Sequence, residues 1–290
     1  MVDFYYPESV DEALVLRAEH HAIPLAGGTD LMVRYENWSS LPANIPGSVM
    51  SVQQLKDLHY IREEEGYLCI GGALPLNSVI EDERIPRCLA LALDEIAAPS
   101  LRNLATLAGN IQNASPAADS IPPLLIMDAE VNLISQNGSR IVSIRDFITG
   151  PGKTDLKDNE LIESVRIPLD FIKKEKQGIL SYRKVGTRKA NALSKLSVCF
   201  WAECEDGRLK DIRMALGAVA ATVVRLKDAE DKLKGVSLDE LGSVWKDVRL
   251  EFEKAVRPID DQRSTAFYRK RTALKLLDAF IQQASDSSVS

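Results

Sequence analysis

The stretch TLAGNIQNASPAAD at residues 106–119 decides how the rest of this chain is organised. It is poor in large side chains and contains a Ser-Pro step, so it predicts neither a stable helix nor a strand. Gly109 lets the backbone approach a ligand closely, and the hydroxyl groups of Thr106 and Ser115 can bond phosphate oxygens. We expect the Ser-Pro step to turn the chain before a helix led by Asp119. A purely structural turn is the alternative interpretation.

A second glycine element, PLAGGTDL at residues 24–31, favours the ligand interpretation. An apolar strand runs into Gly27 and Gly28, and Thr and Asp then stand at the start of a predicted helix. The N-terminus of a helix attracts anions because its N–H groups are open and its dipole end is positive. The two elements lie about 80 residues apart and both suit phosphate, so they predict one extended diphosphate ligand held from two sides.

Composition and charge narrow the class of protein. The chain has 290 residues, of which 45% are hydrophobic and 27% charged, which is typical of globular proteins with about two domains. The net charge of −6 argues against nucleic acid as the main partner. The basic residues around Arg183 and Lys184 form only a local cluster.

Cysteine use and hydropathy bear on the compartment. The four cysteines, Cys69, Cys88, Cys199 and Cys204, form no CxxC pair, so we expect buried thiols in a reducing cytosol rather than a metal site. The N-terminal sequence shows no signal-peptide pattern, and no apolar run approaches the roughly 18 residues of a membrane span. The sequence therefore predicts a cytoplasmic protein without a transmembrane segment.

Local patterns give a coarse order of elements. Residues 1–57 and 58–170 are predicted as two lobes of mixed helix and strand, and the turn Asn137-Gly138 is the strongest hairpin signal. An apolar helix is predicted from Ile85 to Ala98, ending at Pro99. The polar stretch 170–177 is the expected domain boundary.

Beyond that boundary, the patterns predict strands at 179–184, 195–204 and 208–217, followed by helices that cover the sheet. Two capping boxes are expected at helix starts, one formed by Ser9 with Glu12 and one by Ser237 with Glu240.

Both glycine elements, together with a C-terminal motif, resemble a known family. The matching stretches are AGGTDL at 26–31, RN and TLAGNI within 102–111, Ser115 and Asp119 after it, and RSTAFYR at 263–269. In this combination the chain resembles the FAD-binding (medium) subunit of molybdenum hydroxylases, the family of the xanthine dehydrogenase and carbon monoxide dehydrogenase flavoproteins. The resemblance covers almost the whole chain.

The resemblance implies an α+β fold. A two-lobed FAD-binding domain of the vanillyl-alcohol oxidase (PCMH) type would span residues 1–170, with lobes of about 1–57 and 58–170. A smaller α/β C-terminal domain, a sheet covered by helices, would span 177–284 and correspond to the carbon monoxide dehydrogenase flavoprotein C-terminal domain.

The resemblance also implies a set of residues that bind non-covalent FAD. The two glycine loops would hold the pyrophosphate, Asp119 the sugar or adenine end, and Ile162 would approach the flavin ring through its main chain. Lys184 would also approach the ring, where a cation favours the reduced, anionic form; the alternative is a solvated strand end. The expected cofactor-binding residues are Leu25, Ala26, Gly27, Gly28, Thr29, Asp30, Leu31, Thr106, Leu107, Ala108, Gly109, Asn110, Ser115, Asp119, Ile162 and Lys184.

One position departs from the family pattern. Ala108 stands where the family commonly has a second glycine. If that position needs a positive φ, alanine costs roughly 1 kcal/mol there. Covalent attachment of the flavin is not expected, because neither glycine loop contains His or Cys.

The function implied is electron transfer. The sequence shows no evident acid, base or nucleophile for substrate chemistry. The resemblance implies a partner iron–sulfur subunit that supplies electrons, a molybdenum cofactor subunit in the same complex, and transfer through FAD to NAD, a quinone or another acceptor. Arg188 and Lys189 would suit an anionic dinucleotide at the acceptor's entry, or plain solvent exposure.

Two rival functions stay open at this point. A stand-alone FAD-dependent oxidase or dehydrogenase of the same fold would need catalytic side chains over the flavin. A non-catalytic scaffold subunit would carry a decayed flavin site, against which the near-intact glycine loops argue.

Overall fold

The computed structural model describes residues 3–39, 41–188 and 191–286, and it contains both helices and strands. The helices are α1 Val10–His20, α2 Leu31–Arg34, α3 Leu76–Ile80, α4 Arg87–Asp94, α5 Pro99–Arg102, α6 Leu107–Gln112, α7 Ile121–Ile126, α8 Ile144–Phe147, α9 Leu169–Glu175, α10 Lys227–Asp231, α11 Leu238–Ala255 and α12 Ala266–Asp286. The strands are β1 Phe4–Tyr5, β2 Ile23–Leu25, β3 Val49–Ser51, β4 Ile61–Glu64, β5 Tyr67–Gly71, β6 Glu130–Ser135, β7 Gly138–Ser143, β8 Ile148–Gly150, β9 Lys153–Thr154, β10 Leu161–Pro168, β11 Ile179–Val185, β12 Leu196–Glu205, β13 Arg208–Gly217 and β14 Val224–Arg225. Within the described ranges, no helix is long and apolar enough to cross a membrane.

The chain divides into two compact units, each assembled from separate stretches of sequence. Unit 1 comprises residues 1–84, 98–114 and 129–167, and unit 2 comprises residues 85–97, 115–128 and 168–290. The family-derived domain limits of 1–170 and 177–284 stay a prediction. They are continuous ranges of sequence, whereas each compact unit combines separate stretches.

Unit 1 begins with a small parallel sheet in the order β1-β3-β2. Helix α1 starts at Ser9 as predicted, because the Glu12 N–H donates to Ser9 Oγ at 3.1 Å. The other half of the predicted capping box differs, since the Glu12 carboxylate accepts from the N–H of Glu8 at 2.7 Å and not from that of Ser9. Buried side chains such as Leu14 and Met50 pack into one cluster between α1 and this sheet. Strand β2 then leads directly into the first glycine element.

The larger sheet of unit 1 has five strands in the order β4-β5-β10-β6-β7. The hairpin at Asn137-Gly138 is confirmed: β6 and β7 are antiparallel, with Ser135 opposite Gly138, and Gly138 has φ +122°. Strand β10 lies at the centre of the sheet, and its pairing with β6 is irregular between Ile162 and Ser164.

Unit 2 is built on an antiparallel sheet in the order β11-β12-β13-β14. Side chains alternate between its two faces. One face carries Val198, Phe200 and other apolar residues into a core shared with α11 and α12. Helices α4 and α7 pack on β11, β12 and β13, and Trp201 on the face away from the apolar core meets Phe171 of α9 edge-on.

Several local predictions fail for identifiable reasons. Within 106–119, residues Leu107–Gln112 form α6, because Thr106 caps the helix and apolar side chains bury one face of it. Pro99 begins α5 instead of ending a helix, since proline fits the first helical position. The polar stretch 170–177 lies mostly in α9, whose Phe171 is buried, and its place as a domain boundary stays a prediction. Ser237 makes no side-chain cap to the described residues, although α11 begins after it as predicted.

We predict that Phe252→Ala in α11 destabilises the protein by about 3–5 kcal/mol, because Phe252 is fully buried and its loss leaves a cavity. The matched control is Leu250→Ala in the same helix, where the side chain is 52% exposed and the change should stay within about 0.5 kcal/mol. Urea unfolding followed by circular dichroism measures both free energies of unfolding. Equal losses for the two variants would contradict this account of the core.

Candidate functional site

The two glycine elements meet through their backbones in unit 1. A Cβ atom built on Gly27 would lie 2.0 Å from the carbonyl oxygen of Leu104 and 2.8 Å from the amide nitrogen of Ala105. Real atoms do not approach this closely, so only glycine lets the first loop touch the segment that leads into α6. The structure therefore brings together two loops that the sequence places far apart.

The first loop ends at the start of α2. Gly28 has φ +66°, which suits glycine, and its carbonyl accepts from the N–H of Met32 at 3.1 Å. Asp30 precedes the helix without capping it through its side chain, as far as the described residues show. Arg34 of α2 donates to the side chain of Asn113 next to α6, which adds a second link between the two elements.

The second loop is organised by Thr106. Its hydroxyl accepts from the N–H of Gly109 at 3.0 Å, so the first turn of α6 begins at Leu107. Ala108 has helical backbone within this turn and is 6% exposed. The strain considered for alanine at this position does not arise, because the position does not need a positive φ. The N–H groups of a first helical turn have no partners within the helix itself.

Ile162 presents its main chain to a close neighbour in unit 1. A Cβ atom on Gly72 would lie 2.3 Å from the carbonyl oxygen of Ile162, and the N–H of Gly72 donates to the carbonyl of Glu163 at 2.7 Å. The irregular pairing of β10 with β6 begins at the same residue. The backbone of Ile162 therefore contacts Gly72 on one side and strand β6 on the other. Its side chain is half-buried.

Unit 2 contains the other two residues of interest, which contact each other. The ammonium group of Lys184 lies 2.8 Å from Asp119 Oδ2 and also donates to the carbonyl of Glu95 at 2.6 Å. The other oxygen of Asp119 accepts from the hydroxyl of Ser194 at 2.6 Å. The side chains of Lys184 and Asp119 are 7% and 6% exposed, so this is a buried ion pair.

Tyr182 lies on the same face of β11 as Lys184, two residues earlier. Its hydroxyl is buried and has no hydrogen-bond partner among the described residues. Burial raises the pKa of Tyr182 well above its usual value, and the neighbouring carboxylates of Asp119 and Glu95 add to that shift. Burial likewise raises the pKa of Glu95, and the positive charge of Lys184 partly offsets this increase. Tyr182 is therefore a neutral phenol beside the ion pair.

The predicted residues thus fall into two groups, each within one unit. The structure brings together the glycine loops of unit 1, and it brings together Asp119 and Lys184 of unit 2. Ser115 turns the chain by accepting from the N–H of Ala117 at 3.3 Å. Of the predicted acceptor loop, Arg188 donates to the carbonyl of Asn191, while Lys189 lies outside the described residues.

Sequence reasoning missed three members of the second group. Glu95 contributes only its backbone carbonyl, which a pattern of side chains cannot predict. Ser194 is a loop serine with no sequence motif around it. Tyr182 had a usable signal, because its spacing of two from Lys184 in a predicted strand places both on one face.

Comparison with known proteins connects both groups to one family. Residues 1–170 match the family model described as the FAD binding domain in molybdopterin dehydrogenase. Residues 181–284 match the model described as the CO dehydrogenase flavoprotein C-terminal domain.

Individual relatives agree with these matches. The chain is 32% identical over 241 residues to a xanthine dehydrogenase FAD-binding subunit of Escherichia coli, covering 81% of this chain and 80% of that protein. It is 28% identical to the glyceraldehyde dehydrogenase medium chain of Sulfolobus acidocaldarius, covering 93% of each. Its fold matches a chain of the reconstituted CO dehydrogenase from Oligotropha carboxidovorans with a TM-score of 0.86 at 24% identity, covering 99% and 98% of the two chains.

We predict that Gly27→Ala pushes the first loop away from Leu104 and destabilises the protein by about 1–3 kcal/mol, the usual cost of overpacking. Gly47→Ala is the matched control, because no heavy atom of the described residues lies within 4 Å of the added methyl group. Differential scanning fluorimetry of the two variants should show a lower midpoint for Gly27→Ala only. An unchanged melting midpoint for Gly27→Ala would contradict the contact between the two loops.

Proposed function

This chain belongs to the family of FAD-binding domains in molybdopterin dehydrogenases, and we propose that it is the electron-transfer subunit of a molybdenum-containing hydroxylase complex. FAD is its cofactor, and the protein is the flavoprotein part of a dehydrogenase of the xanthine or CO dehydrogenase type. The source and the destination of the electrons belong to the proposal.

The residues present fit a dinucleotide cofactor. The contact of Gly27 with Leu104 and Ala105 holds the backbones of the two loops together, and any side chain at residue 27 would push them apart. Next to it, α2 and α6 begin with N–H groups that have no partner within the helix. Those of Met32 and Gly109 are engaged by Gly28 and Thr106, so the site would use the N–H groups around them. A diphosphate supplies the oxygens that such groups prefer. This packing of the two glycine loops is the observation that carries the proposal.

FAD, when bound, supplies the exchange of two electrons with accompanying protons. The protein's own contribution is to bind and to orient. We assign the diphosphate to the loops containing Gly27, Gly28 and Gly109, with Thr29, Asp30, Thr106 and Asn110 as polar neighbours. The flanking Leu25, Ala26, Leu31, Leu107 and Ala108 fix these loops through strand β2 and helices α2 and α6.

We assign the flavin ring to one residue that would contact it through its backbone and to one that would act through its positive charge. Ile162 would meet the ring through its backbone, which Gly72 holds in place. Lys184 would act on the ring electrostatically, and Ser115 and Asp119 belong to the stretch that follows the second loop.

Electrons would come from an iron–sulfur subunit of a complex that also contains a molybdenum cofactor subunit. The relatives support a role within a complex, since they are named as an FAD-binding subunit and as medium chains. NAD, a quinone or another acceptor would then take the electrons from the flavin. Arg188, whose side chain lies on the predicted acceptor loop, is exposed and would suit an anionic acceptor.

We predict that the purified chain binds FAD without a covalent bond and that Gly27→Ala weakens this binding at least tenfold, while Gly47→Ala does not. The loss follows because a backbone site depends on the position of its N–H groups. Quenching of flavin fluorescence measures the affinity, and dithionite bleaching of the visible band shows that the bound flavin accepts electrons.

The same preparation separates the rival functions. Turnover of an organic substrate by the chain alone would replace the proposal with a stand-alone oxidase or dehydrogenase. A chain that stays colourless after FAD is added would favour a scaffold subunit. Reoxidation of the reduced flavin by NAD or by a soluble quinone identifies the acceptor class.

A further inference from the structure

Helix α5, which precedes the second glycine loop in unit 1, is attached mainly through polar groups. The side chains of Pro99, Ser100 and Leu101 are exposed, and Arg102 is the buried residue of this short helix. Most helices are instead attached through a stripe of buried apolar side chains. The position of α5 therefore depends on the hydrogen bonds that Arg102 and the backbone of α5 make.

Asn77 of α3 contacts α5 through every polar atom of its side chain. Its Nδ2 donates to the carbonyl of Pro99 at 3.2 Å and to the side-chain oxygen of Asn103. Its Oδ1 accepts from Arg102 Nε at 3.1 Å. A carbonyl can only accept and a guanidinium group can only donate, so these partners fix the orientation of the amide. Both N–H donors of the amide are used in this way, which excludes Asn77 as a donor to a phosphate group.

The attachment of α5 reaches the second glycine loop through Ala105. The N–H of Ala105 donates to the carbonyl of Leu101 in α5, and its carbonyl accepts from the N–H of Leu76 in α3, both at 2.8 Å. Thr106, which caps α6, follows directly and pairs with Pro75. Ala105 is thus bonded to both helices. A shift of α5 relative to α3 must therefore move the backbone from which α6 begins.

Helix α3 itself is anchored without the help of Asn77. The side chains of Leu76 and Val79 are fully buried in the core of unit 1. Removal of the Asn77 amide should therefore release α5 and leave most of the core intact. This separates the position of the loop from the stability of the unit.

We propose that Asn77 is a positioning residue of the cofactor site. Its amide fixes α5 to α3 and thereby sets the position of the backbone at 104–109 against the first glycine loop. This rests on the proposed function, because it takes that backbone to bind the diphosphate of FAD. Asn77 acts without touching the ligand and without adding charge to the site.

The test is the affinity of the full-length Asn77→Ala chain for FAD, measured by quenching of flavin fluorescence. The dissociation constant should rise by about tenfold, since binding must then order a loop that the wild type already holds in place. ADP and AMP are compared as competitors of FAD. ADP, which carries the diphosphate, should lose affinity by a similar factor, whereas AMP should lose much less.

Two control variants separate positioning from stability. Ser78→Ala changes the exposed neighbour of Asn77 in α3 and should leave the affinity for FAD unchanged. Ile144→Val removes a buried methyl group from α8 of the same unit. It should lower the melting midpoint by a few degrees and leave the affinity for FAD unchanged.

A double-mutant cycle tests the contact itself. Asn103→Ala removes one acceptor of the Asn77 amide and should weaken FAD binding less than Asn77→Ala does. The double variant should bind FAD about as well as Asn77→Ala alone, because both changes remove the same contact. Additive losses would contradict a shared role.

The opposite result is equally defined. If Asn77→Ala lowers the melting midpoint as Ile144→Val does and keeps the wild-type affinity for FAD and ADP, Asn77 only stabilises unit 1 and the inference is wrong. Equal losses of affinity for ADP and AMP would also overturn it. If the Asn77→Ala chain does not fold, Asn103→Ala at its exposed position decides in its place. A wild-type chain that binds no FAD would instead overturn the proposed function itself.

Discussion

The close contact between Gly27 and the Leu104–Ala105 backbone is the constraint on which the rest of unit 1 depends. The same short segment is held from its other side, where the N–H of Leu76 at the start of α3 donates to the carbonyl of Ala105 at 2.8 Å and Pro75 pairs with Thr106. The entry to α6 is therefore fixed between two elements. Because these contacts use main-chain atoms, they tolerate exchange of the flanking side chains but not of the glycine.

A different principle organises unit 2, where buried charges require partners. Beyond the Lys184–Asp119 pair, Arg225 donates to both oxygens of Glu230, at 3.0 to 3.1 Å, in a second buried pair. Burial raises the pKa of Glu230, and Arg225 opposes that shift. Removal of one member of such a pair destabilises a protein by more than the intact pair stabilises it, because the remaining charge is buried without a partner. The two faces of the sheet differ accordingly, with one face apolar and the other carrying Tyr182, Lys184 and Ser197.

The sequence predicted those parts of the fold that depend on local patterns. The hairpin at Asn137-Gly138 and the strands β12 and β13 follow from turn chemistry and alternation, and the Ser9 cap of α1 follows from its spacing to Glu12. Helix α6 was missed because its stability comes from one threonine cap and from burial of Leu107 and Ile111, which composition does not show.

The interleaved units and the pairing of Asp119 with Lys184 depend on contacts between distant stretches, and one sequence carries no signal for these. The resemblance supplied both residues but not their contact with each other. Assignment of the glycine loops and of these two residues to the cofactor stays a prediction, which the binding measurements address.

The two groups of residues differ in the kind of atom that they offer, so substitutions in them should act in different ways. The loops of unit 1 offer backbone N–H groups, whose positions are set by Gly27 and by the Thr106 cap and carry no titratable charge. The Lys184–Asp119 pair of unit 2 offers charge, whose balance can change without moving any backbone. Substitutions in the loops should therefore act by moving backbone atoms, whereas substitutions in the pair should act by leaving an uncompensated buried charge.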